Sequence, residues 1–236
     1  MDVLGLYTPY RQGATHRRIT GGPPLKSQGP IAYLGIAIVY PPLLTSLLGD
    51  VEDAARSAGM LIHGGELDAP GARGVVGVTK LGNVGVVEVL AEGDAEAPLI
   101  LAANIFKSHT VREHSISGDV RASAGGYRSP TWVRYGGGPT RSRGEARRGP
   151  YYIGFTANMH DVYLSDVRVY GNFYASPPME PYNLAVRLEG TQLNELMFYQ
   201  IKLAWRDRAE LAGIDYEQVD EALDRLYEAL ELDGGR

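Results

Sequence analysis

Apolar positions recur along this chain in two rhythms, broken by one long stretch with none. Residues 31–41, IAYLGIAIVYP, form a β-rich apolar run bounded by prolines, which predicts a buried strand. In the PPLLTSLLGDVEDAARSAGM that follows, Leu43, Leu47, Val51, Ala54, Ala55 and Ala58 fall at three- and four-residue spacing, as one face of an amphipathic helix does. Pro41 and Pro42 suit its first turn, and Gly59 suits its end. Three short apolar runs come next: Val75–Val78, Val84–Leu90 and Leu99–Phe106. The separators Leu81-Gly82-Asn83 and Glu92-Gly93-Asp94 are hairpin punctuation, so all three runs are expected to be strands.

Residues 107–150 carry no sustained period and contain SAGG, RYGGGPTRSRG and ARRGP. A stretch of that length without regular structure reads as a functional loop or a linker. It divides the chain into a first domain at 1–120, an Arg/Gly-rich segment at 121–149 and a C-terminal domain at 150–236. Beyond it, YYIGFTANMHDVYLSDVRVYGNFY predicts two strands paired through a turn near Met159–Asp161. Three prolines in ASPPMEPYN end that pattern, and two helices are expected to finish the chain. The last has the clearest stripe, Val219, Ala222, Leu223, Leu226 and Leu230, with Asp215 placed to cap it and Gln218 to complete a capping box. The fold class expected is α+β: a mixed or antiparallel sheet with a packed helix, then a small C-terminal α+β domain.

Composition narrows the classes. At 236 residues, 44% apolar and 22% charged, the chain can bury an ordinary core. No apolar run is long enough to span a membrane, and the N-terminus shows no signal segment. With no cysteine, disulfides, thiolate metal sites and cysteine nucleophiles are excluded, and a cytoplasmic location is expected. The net charge of −5 hides seven arginines between 121 and 148 against one acid, Glu145. An arginine-rich loop with Tyr127, Trp132 and Tyr135 could meet nucleic acid or be a solvated loop; the acidic total counts against nucleic acid.

Few segments carry chemistry. His109 and His114, near Glu113 and Asp119, match no metal-ligand spacing, so no metal site is expected. Gly136–Gly138 lacks the Lys-Ser/Thr of a P-loop. The sharper candidate is the turn Thr20-Gly21-Gly22-Pro23-Pro24 led by Arg17 and Arg18. Glycines let backbone amides approach an anion closely, and guanidinium groups are forked for phosphate or carboxylate. The same residues also make an ordinary corner before a core strand.

Three segments in order resemble one family. RRITGGPP followed by IAYLGIAIVYP is similar to the Arg-Arg-x-Ser/Thr-Gly-Gly-Gly loop and next strand of the biotin/lipoate A/B protein ligases. IHGGELDAPGARGVVGVTKLG resembles their Gly-Arg-Lys-Ile-x-Gly segment, with Asp68, Arg73 and Gly77 in step. LSDVRVYGNFYASPP is similar to part of the accessory C-terminal domain of lipoate–protein ligases. The resemblance implies activation of lipoate, octanoate or a related acid by ATP, with magnesium, to an acyl-adenylate such as lipoyl-AMP. The acyl group then passes to a lysine of a lipoyl carrier domain. It also implies binding roles for Arg17, Arg18, Thr20, Gly21, Gly22, Asp68, Arg73 and Gly77. Two positions depart from the pattern: Gly74 stands where the family has its lysine, and Pro23 replaces the third glycine. The helices that precede the loop in full-length ligases are not expected in the 16 residues ahead of Arg17. Lys80, six residues on, either takes over the lysine's role or is a surface lysine at a hairpin. Alternatives are a non-catalytic acyl- or carrier-binding relative, or a partner to a complementary ligase subunit.

Overall fold

The computed structural model describes residues 3–10, 15–16, 20–23, 25–26, 31–39, 41–94, 96–106 and 142–234. Its strands are β1 (Val3–Tyr10), β2 (Thr15–His16), β3 (Leu25–Lys26), β4 (Ile31–Val39), β5 (Leu61–His63), β6 (Glu66–Ala69), β7 (Ala72–Leu81), β8 (Val84–Gly93), β9 (Ser142–Arg148), β10 (Tyr151–His160), β11 (Tyr163–Asn172), β12 (Tyr174–Ser176) and β13 (Glu210–Ala212). The helices are α1 (Leu44–Ser57), α2 (Glu96–Phe106), α3 (Glu180–Leu188), α4 (Glu195–Trp205) and α5 (Tyr216–Gly234). Antiparallel sheets with packed helices make it an α+β protein.

The first sheet runs β1-β4-β8-β7-β6-β5, every neighbour antiparallel. Strand alternation gives it two faces of different character. Ala72, Val76 and Val78 on β7, Val87 and Val89 on β8, and Leu34, Ile36 and Ile38 on β4 meet α1 and α2 in one buried cluster. The α1 stripe is as expected except at its start: Leu44 is buried and Leu43 exposed, because the helix begins after the prolines rather than on them. Gly59, with φ +73°, takes the left-handed conformation that ends α1. Leu99–Phe106, expected as a strand, belongs to α2. Its apolar run is buried at Ala97, Leu101, Ala102 and Ile105, a helical spacing that a short run does not display.

The second sheet, β11-β10-β9, is antiparallel and covered on one face by α5. Val219, Ala222, Leu223, Leu226 and Leu230 are all buried there. The cap reads as expected: Asp215 Oδ1 accepts from Glu217 N at 3.0 Å, and Gln218 Oε1 accepts from Asp215 N at 3.1 Å. Two expectations change. Ser142–Arg148 is a strand, although it lay in the segment read as a loop, because Ser142, Gly144 and Ala146 alternate inward with arginines and Glu145 between them. Three helices, not two, close the chain, since α3 starts inside ASPPMEPYN with Pro181 in its first turn.

The two sheets are joined by buried polar contacts and shared apolar ones. Tyr174 and Ala212 belong to the helix-side core of the first sheet. Tyr174 Oη donates to Val76 O at 2.9 Å, Thr79 Oγ1 to Ala175 O at 2.7 Å, and Asn172 Nδ2 to Gly64 O at 2.9 Å. β12 therefore lies along the edge of β7 beyond the end of β6, and it brings the second sheet's end of the chain against Gly64, Val76 and Thr79.

Candidate functional site

The face of the first sheet opposite α1 and α2 is where the candidate segments meet. On it β7 carries Arg73, Val75, Gly77 and Thr79, and β8 sets Glu92, Leu90, Glu88 and Val86 directly opposite them. Leu25, Ile31, Val75 and Leu90 form a small buried cluster there, with Tyr33 packed against it. Near the centre, the Glu88 carboxylate accepts hydrogen bonds from Thr20 Oγ1 at 2.5 Å and Tyr33 Oη at 2.6 Å. Thr20 is 1% exposed, so this bond is shielded from competing water.

The glycine turn is held by backbone bonds on both sides. Val78 N donates to Thr20 O at 3.2 Å, and Gly22 N donates to Phe173 O at 3.0 Å. Gly21 and Gly22 have φ of +80° and +78°, the region only glycine enters at no steric cost. The Gly22 amide is thus engaged by the second half of the protein. The turn is a corner wedged between β7 and Phe173–Tyr174, and its tightness is what lets those strands approach.

Of the residues singled out by sequence, Arg17 and Arg18 lie outside the described residues. Thr20 and Gly77 come together, through Glu88 opposite Gly77 and through the Val78 amide. Asp68 and Arg73 face each other across β6–β7 at the far end of the same face, and both are exposed. Four residues along a strand separate Arg73 from Gly77, roughly 13 Å. Arg73 donates to Glu92 Oε2 from Nε at 3.2 Å and from Nη2 at 2.9 Å.

Lys80 lies elsewhere. It is an even-numbered β7 position, on the side of Ala72, Val76 and Val78, and its Nζ donates to Glu210 Oε1 at 2.6 Å. Glu210 Oε2 also accepts from Leu44 N at 2.8 Å, so one carboxylate ties β7, β13 and the start of α1 together. Burial alone would raise the Glu210 pKa. The Lys80 and Leu44 hydrogen bonds and the Lys80 charge outweigh that, and hold it below its ordinary 4.5. A depressed carboxylate pKa contributes stability above the unfolded value and loses it as pH falls through the folded one. With Glu210 more than a third exposed, screening limits the contribution to about 1 kcal/mol. Lys80→Met is expected to remove that part of the acid limb: unfolding midpoints of variant and wild type should differ at pH 7 and converge below pH 4.5. A difference that persists unchanged into acid would show that the pair contributes nothing.

Tyr33, Glu88, Glu92 and Glu210 escaped the sequence reading. Glu88 had a signal: it is a carboxylate interrupting the apolar VGVVEVL. Glu210 had none, being 130 residues from its lysine.

No family model matches this chain, and no curated protein matches it. Among solved structures it resembles LipL1 of P. falciparum, crystallised in complex with lipoate. The TM-score is 0.52 at 8% identity, over 90% of this chain and 76% of that one. At that identity the likeness speaks to the fold, which is lipoate-ligase-like. No helix among the described residues is long and apolar enough to cross a membrane.

Proposed function

We propose that this protein is a lipoate-ligase relative that recognises an acyl group, lipoyl or octanoyl, attached to the lysine of a carrier domain, and that by itself it activates the free acid poorly. The observation that carries this reading is Glu88. It places a carboxylate, fixed by Thr20 and Tyr33, on the face that holds the glycine turn. A second carboxylate, that of a free acid, would meet like charge there, whereas an amide-linked acyl group is neutral and can use the apolar cluster beside Tyr33.

Activation asks for the opposite electrostatics. Charge builds on carboxyl and phosphate oxygens as an acyl-adenylate forms, and fixed cations must meet it. Among the described residues of β7, Arg73 is engaged by Glu92 and Lys80 by Glu210, and Gly74 supplies nothing. Loss of one preorganised group of this kind costs on the order of 100- to 1000-fold in rate.

The test is calorimetric titration with lipoate, lipoamide, lipoyl-AMP and a lipoylated carrier domain, beside pyrophosphate exchange into ATP with magnesium and lipoate. Lipoamide and the lipoylated domain are expected to bind more tightly than lipoate. Glu88→Gln should narrow the gap by improving lipoate, and exchange should stay near background. Robust exchange by the isolated chain, or lipoate binding more tightly than lipoamide, overturns the reading.

A further inference from the structure

The arginine-rich stretch of the sequence ends in β9, which turns Arg143, Glu145 and Arg147 to the face of the second sheet opposite α5. Strand register lays that face out in three rows: Arg147, Tyr152 and Asn172; Glu145, Gly154 and Tyr170; Arg143, Thr156 and Arg168. The Arg147 guanidinium lies over the Tyr152 ring, 4.7 Å from its centre, and that of Arg143 over the Tyr170 ring at 4.9 Å. Glu145 orients both stacks. Its carboxylate accepts from Arg147 Nε at 2.8 Å, from Tyr170 Oη at 3.1 Å and from Arg143 Nη2. A Cβ at Gly154 would overlap the Tyr170 ring, so glycine is what lets that ring settle against β10. The two guanidinium groups are the outermost layer, on side chains 60% and 63% exposed.

The chemistry of this layer says what fits it. A guanidinium plane held on a ring offers its other side to a further planar group, and its N–H fork suits phosphate. Glu145 cannot take all five N–H donors of either arginine, so donors remain to reach phosphate oxygens. Thr156, between Arg143 and Arg168, is 6% exposed, and its hydroxyl has no partner among the described residues. A phosphate drawn in by those arginines would satisfy it. The Tyr152 and Tyr170 rings are 6.4 Å apart, close to twice the ~3.4 Å rise between stacked bases of a duplex strand. Neighbouring bases reach both stacks only when splayed apart, which a single strand allows and a duplex does not. The acidic total of the chain is no obstacle here. Seven of its acids lie on α5, on the far side of the sheet, so charge is separated across it.

We propose that this face of the second sheet binds single-stranded nucleic acid, one base stacked on the Arg143 guanidinium and its neighbour on that of Arg147. Glu145, together with the Asp166 that engages Arg168, leaves the face only a small excess of positive charge. Binding is accordingly weak, with Kd on the order of 10 µM at ~50 mM salt.

Fluorescence anisotropy of a labelled oligothymidylate of about 8 nucleotides, titrated with the full chain over a salt series, tests this. The slope of log affinity against log salt should be about −1.4, the value for two phosphates of a single strand. Arg143→Lys and Arg147→Lys keep the charge but lose the plane, so each should weaken binding about tenfold. Both positions are exposed and a lysine can still meet Glu145, so thermal melting followed by circular dichroism should show the variants folded. A duplex of the same length and polyglutamate should compete poorly with the labelled strand. No binding at ~50 mM salt overturns the proposal. So does a double variant that binds as tightly as wild type, or a duplex or polyglutamate that displaces the label as well as unlabelled single strand does.

Discussion

Gly74→Lys, the substitution that would return lysine to the position the ligase motif assigns it, is expected to lower stability by about 4 kcal/mol and to confer no pyrophosphate exchange. A Cβ at position 74 would stand against the Leu90 carbonyl oxygen, well inside van der Waals contact, and 3.1 Å from Ala91 Cα. Both neighbours are backbone of β8, which cannot rotate aside as a side chain could, so the central strand pair must part. The rest of the lysine would then leave β7 on the side of Ala72, Val76 and Val78, among apolar groups that offer an ammonium no partner. Gly74→Ala separates the two contributions: the backbone collision alone should cost about 2 kcal/mol, and the longer side chain the remainder. Urea unfolding measures both, with the slope unchanged if only stability has moved. A lysine variant as stable as wild type, or one that exchanges pyrophosphate, would show that β8 yields at this point and that the motif register is right.

Strand alternation sets what the motif position can do here. Of the two β7 residues that flank it on the Glu88 face, Val75 is apolar and buried, and Arg73 is 66% exposed and bonded to Glu92. Sequence similarity aligns residues along the chain, but a strand sends neighbours to opposite faces, so a one-residue choice of register decides whether a cation lies on the candidate face or in the core. Periodicity served well where one element decides its own form. The α1 stripe and the α5 stripe with its Asp215–Gln218 cap were legible because local spacing and capping fix them. Leu99–Phe106 was not, since a short apolar run fits either period. Nor was β9, whose outward arginines look like loop until Gly144 is seen against the α5 backbone at Leu226 Cα, 2.9 Å from where a Cβ would be. The candidate site was legible only in part. Thr20 and Gly77 could be named from sequence, but Glu88 and Tyr33 join them only through the β4–β8 pairing, and pairing partners are not written in any one segment.

Gly21→Ala is expected to cost about 3 kcal/mol, which separates the two meanings of the glycine turn. With φ at +80°, an alanine there pays roughly 1–2 kcal/mol for the left-handed backbone alone. Its Cβ would also meet Phe173 O at 2.6 Å, the carbonyl that accepts from Gly22 N. Relief requires the turn and the β11–β12 junction to move apart, which weakens that bond and the Val78–Thr20 bond on the other side. In a chain of this size a loss of that magnitude lowers the melting temperature by about 6–12 °C. Were the turn a ligand cradle with slack around it, the same substitution would spare stability and affect binding alone. The measurement is calorimetric melting of Gly21→Ala beside titration with lipoamide. A large drop in melting temperature places the glycines' main work in joining the two sheets. An unchanged melting temperature with weakened lipoamide binding would return the turn to the ligand and refute the corner.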